Sequence, residues 1–364
     1  MRANHERFMR DCLRLAEKGR GMVSPNPMVG AVLVRHGRII ARGWHERFGH
    51  PHAEANCLRK ARGDLSTATL YVSMEPCSHI GKTPPCADMI VVSGIRRVVL
   101  AMQDPNPRVS GRGVARLRGA GIKVTVGVLE QDARELNRVF IHHIVRRRPY
   151  VHLKIAQSLD GIIASPHTRG RWISSAESRR RVHAIRARSD AILVGAGTVR
   201  ADNPRLTVRH GAVADPTVVI LSGRRRVPEH ARVFKSGRRV LLITQEGNER
   251  AAMIRRLESR GVTIVRAPGR RGRLALRTVL RELYRHNIGS LLVEGGGDVF
   301  GQFLREDLVD ELTLFLAPAV LGGGLSSFGT WKGAPQHIPW LFGQPGDIGV
   351  SGRDLVVHAR RRED

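Results

Sequence analysis

Residues 74–86 read MEPCSHIGKTPPC and hold two of the chain's four cysteines, Cys77 and Cys86, each preceded by proline. Cysteines so close form either a disulfide or part of a metal site. Upstream, His52-Ala53-Glu54 follows Pro51 at an expected helix start. One histidine and two cysteines meet the three-ligand count of a catalytic zinc, whose fourth position stays open for water. Glu54, two residues from the histidine, is then placed to move protons rather than to ligate. A structural zinc would want a fourth protein ligand, which His79 could supply, but that reading leaves Glu54 without a role. Cys12 and Cys57 occupy packing positions of helical segments, and His36 and His50 stand in turns.

Working outward, Phe8, Cys12 and Leu15, with Met9 and Ala16, recur at helical spacing up to Gly19 and Gly21 and predict an opening helix. After the turn SPNPMVG, strands are expected at about 29–35 and 38–45 around a His36-Gly37 hairpin. PHAEANCLRKA reads as helix, TATLYVSME as strand, TPPCADMIVVSG as helix and RRVVLAM as strand. GRGVARLRGAG follows as helix, IKVTVG as strand and LEQDARELNRVFIHHIV as one helical stretch. Such alternation argues an α/β sandwich around a largely parallel sheet. The run Arg146-Arg147-Arg148-Pro149 ends the pattern, so domains are expected at 1–147 and 148–364. In the second half, helices near 175–188, 249–259 and 275–286 alternate with the strands YVHLKIAQ, DAILVGAG, PTVVILSG, RVLLITQ, VTIVRA, GSLLVEGGG, DELTLFLAP and LVVHA.

At 364 residues the chain is too long for one ordinary core. Its formal net charge of +29 is almost all arginine, since lysine occurs only at 18, 60, 82, 123, 154, 235 and 332. The simplest reading of such a charge is a basic solvated surface, with phosphorylated small molecules or a polyanion as the alternatives. The basic runs at 146–148, 179–181, 224–226 and 360–362 are scattered, and with 4% aromatic residues the chain offers no stacking platform. No nucleic acid partner is therefore expected. Few cysteines for this length fit a reduced, cytoplasmic protein. No apolar run approaches the roughly 20 residues of a membrane span, so no membrane partner is expected either.

The order H-x-E…P-C…C is that of zinc nucleobase deaminases, in which two residues usually separate the cysteines; here eight intervene. With SPNPMVG (24–30), HAE (52–54), EPCSHIGKTPPC (75–86) and QDPNP (103–107), that spacing closely resembles the deaminase half of the RibD family of bifunctional riboflavin-biosynthesis enzymes. LKIAQSLDGIIA (153–164), RWISS (171–175), VGAGTVRADNPRLTVR (194–209) and VEGGGDVFG (293–301) likewise resemble, in order, its reductase half. The resemblance implies an N-terminal cytidine-deaminase-like three-layer α/β/α domain, followed by a dihydrofolate-reductase-like α/β domain.

The resemblance also implies a site map. Zinc falls on His52, Cys77 and Cys86, with Glu54 catalytic, and the deaminase substrate on Asn26, His45, His79, Lys82, Asp104 and Asn106. NADPH contacts fall on Ala156, Trp172, Thr198, Asp202 and Ser222, and on the turn Gly296, Gly297, Asp298, Val299, Phe300, Gly301 and Gln302. Contacts to the reductase's ribosyl-phosphate substrate fall on Lys154, Gly170, Leu206, Arg209 and Glu294. Physical sense supports several. Asn26 between two prolines is a preset amide; Lys82 sits in a Gly-Lys-Thr turn; Arg209 suits a phosphate. Ser222, followed by Arg224 to Arg226, could meet the 2′-phosphate of NADPH. The glycine turn after the strand at 290–293 lets backbone approach an anion, although the chain lacks a first-strand G-x-G-x-x-G. Ile162 and Gly170 depart from relatives that carry a cation and a hydroxyl there.

The expected activities are zinc-dependent hydrolytic deamination of 2,5-diamino-6-(5-phosphoribosylamino)pyrimidin-4(3H)-one, then NADPH-dependent reduction of the ribosyl group to ribityl, in a homo-oligomer. The rival is a zinc deaminase acting on RNA through a basic C-terminal domain. It does not explain SLDG, ADNPRLTVR or VEGGG.

Overall fold

A computed structural model of the chain describes residues 2–78, 85–107, 109–166, 172–209, 215–235, 237–247, 251–270, 272–329, 340–341 and 347–361. The chain divides into two compact units, Met1–Arg147 and Arg148–Asp364.

In the first unit the order is α1 (Arg2–Glu17), β1 (Gly30–Arg35), β2 (Arg38–Trp44), α2 (Ala53–Leu58), β3 (Thr69–Val72), α3 (Cys86–Val92), β4 (Arg97–Leu100), α4 (Arg112–Gly119), β5 (Lys123–Val126), α5 (Glu130–Leu136) and α6 (Arg138–Arg146). The sheet runs β2-β1-β3-β4-β5. Only the β3-β4-β5 half is parallel, because β1 pairs antiparallel with both β2 and β3. The cause is the hairpin at His36 and Gly37, both with positive φ: it reverses β2 against β1, and the α2 crossover then returns β3 in the sense of β2 on the other side of β1. Helix α2 lies tight on β2, since a Cβ on Gly43 would stand 2.4 Å from the Ala53 carbonyl oxygen. Cys12 and Cys57 are fully buried in the core, as packing residues.

The stretch expected as one helix is two, α5 and α6, broken at Asn137 (φ −102°, ψ 18°). The Asn137 side chain accepts from the Met28 N–H at 2.8 Å and donates to the Met28 carbonyl at 3.0 Å. That reciprocal pair fastens the turn after Asn26 and takes Asn137 out of helical geometry.

The second unit contains β6 (Tyr150–Ser158), β7 (Ile162–Ala164), α7 (Ala176–Arg186), β8 (Ala191–Gly195), α8 (Ala196–Asp202), β9 (Thr217–Gly223), β10 (Val240–Gln245), α9 (Ala251–Glu258), β11 (Val262–Ala267), β12 (Gly269–Arg270), β13 (Arg273–Leu274), α10 (Leu276–Arg285), β14 (Ser290–Val293), α11 (Gly297–Arg305), β15 (Glu311–Ala317), β16 (Leu325–Ser326), β17 (Trp340–Leu341), β18 (Ile348–Ser351) and β19 (Asp354–Arg361). The main sheet is ordered β11-β10-β9-β8-β14-β6-β15-β19-β17, with β18 on β19. Along β6, Val151, Leu153 and Ile155 enter the core under α10 and α11. The period of two turns His152, Lys154 and Ala156 to the opposite face. That alternation puts Lys154 where chemistry can reach it. Helix α8 was not expected: only Ala196 and Val199 are buried among its seven residues, too few to mark a helical period.

Candidate active sites

Three separate elements converge on the first site. His52 is the N-cap of α2, Cys77 follows β3, and Cys86 opens α3 after Pro85. The His52 Nδ1 atom lies 3.6 Å from Cys77 Sγ and 3.4 Å from Cys86 Sγ, while the Cys86 N–H donates to Cys77 Sγ at 3.3 Å. Tetrahedral zinc, with Zn–S of about 2.3 Å and Zn–N of about 2.0 Å, has an N···S edge of about 3.5 Å. The donor set and its spacing fit that ion. Among the described residues this is the one group of three or more His, Cys, Asp or Glu side chains that could hold a metal. All four cysteines are free thiols, which removes the disulfide reading.

Electrostatics agree. The thiol of Cys86, hydrogen-bonded to Cys77, with His52 beside them, holds Cys77 down to about 4; the same contact and burial push Cys86 up. The hydrogen bond with Cys77 raises His52. Without a metal, one thiolate therefore sits against a protonatable imidazole and a thiol, and an ion bound by the three would displace the protons of His52 and Cys86. Glu54, in the first turn of α2, is 3% exposed. Burial, with the Cys77 sulfur adding to it, pushes its carboxyl up to about 7.

His45 stands edge-on to His52, with ring centroids 5.3 Å apart. Its Nδ1 lies 3.2 Å from the Pro51 carbonyl, which can only accept, so the proton sits on Nδ1 and Nε2 accepts from Asn26 Nδ2 at 3.2 Å. Burial lowers the pKa of His45, keeping that neutral tautomer. Asn26 and His45 are therefore assembled beside the metal donors. Asp104 and Asn106 lie on a segment tied to the zinc loop through Glu75, whose carboxylate accepts from the Asp104 N–H at 3.1 Å. His79 and Lys82 lie outside the described residues.

In the second unit Glu294 follows β14. It receives Arg186 in a two-point pair, Nε at 2.6 Å and Nη2 at 2.8 Å, and Lys154 Nζ at 3.3 Å. Burial alone would raise its pKa, but Lys154 and Arg186 outweigh burial and hold it down to about 2. Arg186 Nη1 also donates to the Thr207 carbonyl at 3.2 Å, and Arg238 donates to the Leu206 carbonyl at 2.7 Å and to that of Arg205. These bonds hold the segment in which Leu206 is buried at φ +54° and Arg209 is exposed. Lys154, Glu294 and Leu206 are thus bound into one network. Gly170 lies outside the described residues.

The residues expected to meet the cofactor differ in what they offer. The turn before α11 offers bare backbone at a helix start, the arrangement that favours a pyrophosphate. It is tight: a Cβ on Gly297 would stand 2.1 Å from the Ser326 carbonyl oxygen, and one on Gly296 3.3 Å from Thr198 Oγ1. Thr198 and Asp202 belong to α8, and Ala156 shares a face of β6 with Lys154. Phe300 and Gly301 are buried, and the Gln302 amide donates to the Leu274 carbonyl and to Glu306. Val299 packs at the core, while Asp298 is exposed and 3.7 Å from Arg225. Ser222 is buried with its hydroxyl donating to the Arg225 carbonyl at 2.6 Å, so the groups that this turn presents outward are Arg224, Arg225 and Arg226. Trp172 is exposed, with the Arg179 guanidinium 5.1 Å from its ring centre.

Glu75, Arg186 and Arg238 were not singled out from sequence. Arg186 and Arg238 are two among many arginines, and what distinguishes them is burial, which sequence spacing alone did not reveal.

Comparison with known proteins accords with this geometry. Residues 2–102 match the cytidine and deoxycytidylate deaminase zinc-binding region, and residues 149–333 match the RibD C-terminal domain. The chain is 44% identical over 321 residues to riboflavin biosynthesis protein RibD of Aquifex aeolicus, covering 88% of each. It is 39% identical to RibD of Escherichia coli, covering 97% of this chain and 98% of that one. Its structure resembles Acinetobacter baumannii RibD, with a TM-score of 0.89 at 32% identity over 100% of both chains. It also resembles a Thermotoga maritima diaminohydroxyphosphoribosylaminopyrimidine deaminase/5-amino-6-(5-phosphoribosylamino)uracil reductase, with a TM-score of 0.84 at 40% identity over 99% of both. The reductase-family match leaves the RNA-binding reading of the second half unsupported. The chain belongs to the RibD family of bifunctional riboflavin-biosynthesis enzymes.

Proposed function

We propose that residues 1–147 hydrolytically deaminate 2,5-diamino-6-(5-phosphoribosylamino)pyrimidin-4(3H)-one and that residues 148–364 reduce the ribosyl group of the product to ribityl. The observation that carries this is the coexistence in one chain of a His52/Cys77/Cys86 donor triad beside buried Glu54 and a Lys154–Glu294–Arg186 cluster beside a glycine-turn helix start.

Zinc, when bound, acidifies a water towards neutrality. His52, Cys77 and Cys86 would hold that ion. Glu54 would carry two protons in turn: one, taken from water as its oxygen bonds to the amine-bearing carbon, passes to the ring nitrogen, and one, taken from the resulting hydroxyl, passes to the amine, which leaves as ammonia as the C–N bond breaks. Asn26, held by His45, presents the rest of its amide to the pyrimidine edge, with Asp104 and Asn106, and by family resemblance His79 and Lys82, as further substrate contacts.

NADPH, when bound, supplies hydride to the anomeric carbon of the opened sugar. Glu294 fixes Lys154 Nζ where it can donate to a sugar oxygen, and Arg209 takes the phosphate. Ala156, Trp172, Thr198, Asp202 and the stretch from the Gly296 turn into α11 as far as Gln302 hold the cofactor, while Ser222 braces the turn that offers Arg224 to Arg226 to its 2′-phosphate. Leu206 borders the substrate, and Gly170 is a further contact that the family resemblance implies.

Among the described residues no helix is long and apolar enough to cross a membrane. A free thiol pair used as metal ligands suits the cytoplasm. For the homo-oligomer, Ile348, Val350 and Leu355 expose one uncharged stripe of the β18–β19 hairpin, and in a chain of net charge +29 that stripe is where a second copy can approach.

The test is one assay on the purified full chain with zinc, NADPH and the diaminopyrimidine phosphate. Ammonia release and NADPH oxidation are both expected. Chelating the zinc should stop ammonia release while leaving reduction of the already deaminated substrate intact. Failure of NADPH oxidation with that substrate would sink the reductase reading.

A further inference from the structure

Glu75 belongs to the zinc-loop motif but is neither a metal donor nor part of the proton path. It is 5% exposed, two residues before Cys77. We propose that Glu75 is a positioning residue of the deaminase pocket, bracketing the segment that carries Asp104 and Asn106 against the loop that carries Cys77.

Its carboxylate accepts three backbone N–H groups. Oε2 takes those of Asp104 at 3.1 Å and Gly111 at 3.0 Å, and Oε1 takes that of Val114 at 3.0 Å. Gly111 is the N-cap of α4 and has no side chain to satisfy the first-turn donors. Glu75 supplies that acceptor from another element, and a negative group there also meets the positive end of the helix. The same carboxylate reaches Asp104, so both ends of residues 104–111 are fastened to one side chain. Within the bracket the segment folds on itself: the Asn106 N–H donates to Asp104 Oδ1 at 2.8 Å, and the Asn106 carbonyl accepts from Val109 and Ser110 at 2.8 Å each. The approach depends on Gly113, where a Cβ would stand 2.1 Å from the Pro76 carbonyl oxygen. Pro76 lies between Glu75 and Cys77. One short stretch thus sets the metal donor and the height of the Asp104–Asn106 segment together.

A carboxylate suits this place because it accepts at both oxygens and donates nothing. Glutamine has the same shape, but its amide N–H group would face at least one backbone N–H and leave it unpaired.

The inference rests on the reading that Asp104 and Asn106 contact the pyrimidine, and the experiment separates the two. In full-length Glu75→Gln, KM for the diaminopyrimidine should rise about tenfold. The kcat should change by less than about threefold, bound zinc should be retained, and reduction of the deaminated substrate should be unchanged. Hydrogen exchange at residues 103–114 should accelerate, with residues 53–58 unchanged. Combined with Asp104→Ala, the KM effects should be smaller than the product of the two single effects, because both act through one segment. Unchanged exchange at 103–114 overturns the proposal, and so does loss of zinc or of the first unit's fold, which would make Glu75 a general structural residue. Fully multiplicative KM effects overturn it too. If exchange accelerates but Asp104→Ala and Asn106→Ala leave KM untouched, the bracket stands and the substrate reading of those two residues falls.

Discussion

Glu54 in the first unit and Glu294 in the second are both removed from water, one 3% exposed and the other with a side chain 5% exposed, yet one is pushed up to about 7 and the other held down to about 2. Burial acts on both in the same direction, towards the neutral acid. The difference lies in the neighbours. Glu54 faces the Cys77 sulfur, which adds to burial, and the weaker opposing contacts of His52 and Cys86 do not cancel it, whereas Glu294 faces Lys154 and the two-point guanidinium of Arg186. A carboxyl near neutrality can exchange a proton with a reacting group. One far below it is a permanent anion, fit to orient cations. The same residue type, with its side chain buried in both places, is thus suited to proton transfer in one unit and to placement in the other.

The largest effect that would break this comparison is on Glu54 itself. Glu54→Gln keeps shape but carries no exchangeable acid, and deamination should fall by about 10³ in kcat, within the range general acid–base catalysis supplies. Zinc content should persist, and reduction of the deaminated substrate by the same preparation should stay within about twofold. A loss below about tenfold would place the proton path elsewhere.

Next in size is the acid stability of the second unit. The folded-state pKa of Glu294, about 2, lies below an ordinary glutamate value of about 4.3, so its pairing stabilises the fold fully above pH about 4.3 and is lost as pH falls through about 2. The shift corresponds to about 3 kcal/mol. Urea unfolding of the second unit at pH 7 and pH 2.5 should show wild type losing more stability between those conditions than Glu294→Gln, by an amount approaching that figure. Equal losses would show that Lys154 and Arg186 do not hold the carboxylate.

This contrast also marks what sequence could and could not reveal. His52, Glu54, Cys77 and Cys86 were legible because a metal demands particular residue types at a countable number of positions. Lys154 and Glu294 came through motif resemblance, without their mutual contact. Arg186 was hidden: helix α7 carries Arg179, Arg180, Arg181 and Arg186, and only the packed structure shows which one turns inward onto Glu294. Glu75 was hidden by its neighbour Cys77, which accounted for the motif. The mixed sheet followed from a hairpin that was read correctly but whose consequence for strand direction was not carried through. The break at Asn137 came from Met28, 109 residues away in sequence, which no local pattern records.

The smallest expected effect is the most discriminating for the role of burial. Arg225 and Asp298 repeat the guanidinium–carboxylate pairing of Arg186 and Glu294, but at 3.7 Å and with side chains 58% and 63% exposed. In water the attraction is screened, and two mobile side chains must be ordered to make it. Asp298 also stands in the first turn of α11, where a negative charge gains a little from the helix dipole. Together these bound the stability loss in Asp298→Asn at about 1 kcal/mol, and added salt should shrink it further. If thermal unfolding of the second unit instead shows a loss comparable to the acid effect at Glu294, and salt leaves it unchanged, then charge pairing rather than desolvation governs these carboxylates. Glu54 would then owe its high pKa to the Cys77 sulfur more than to its depth.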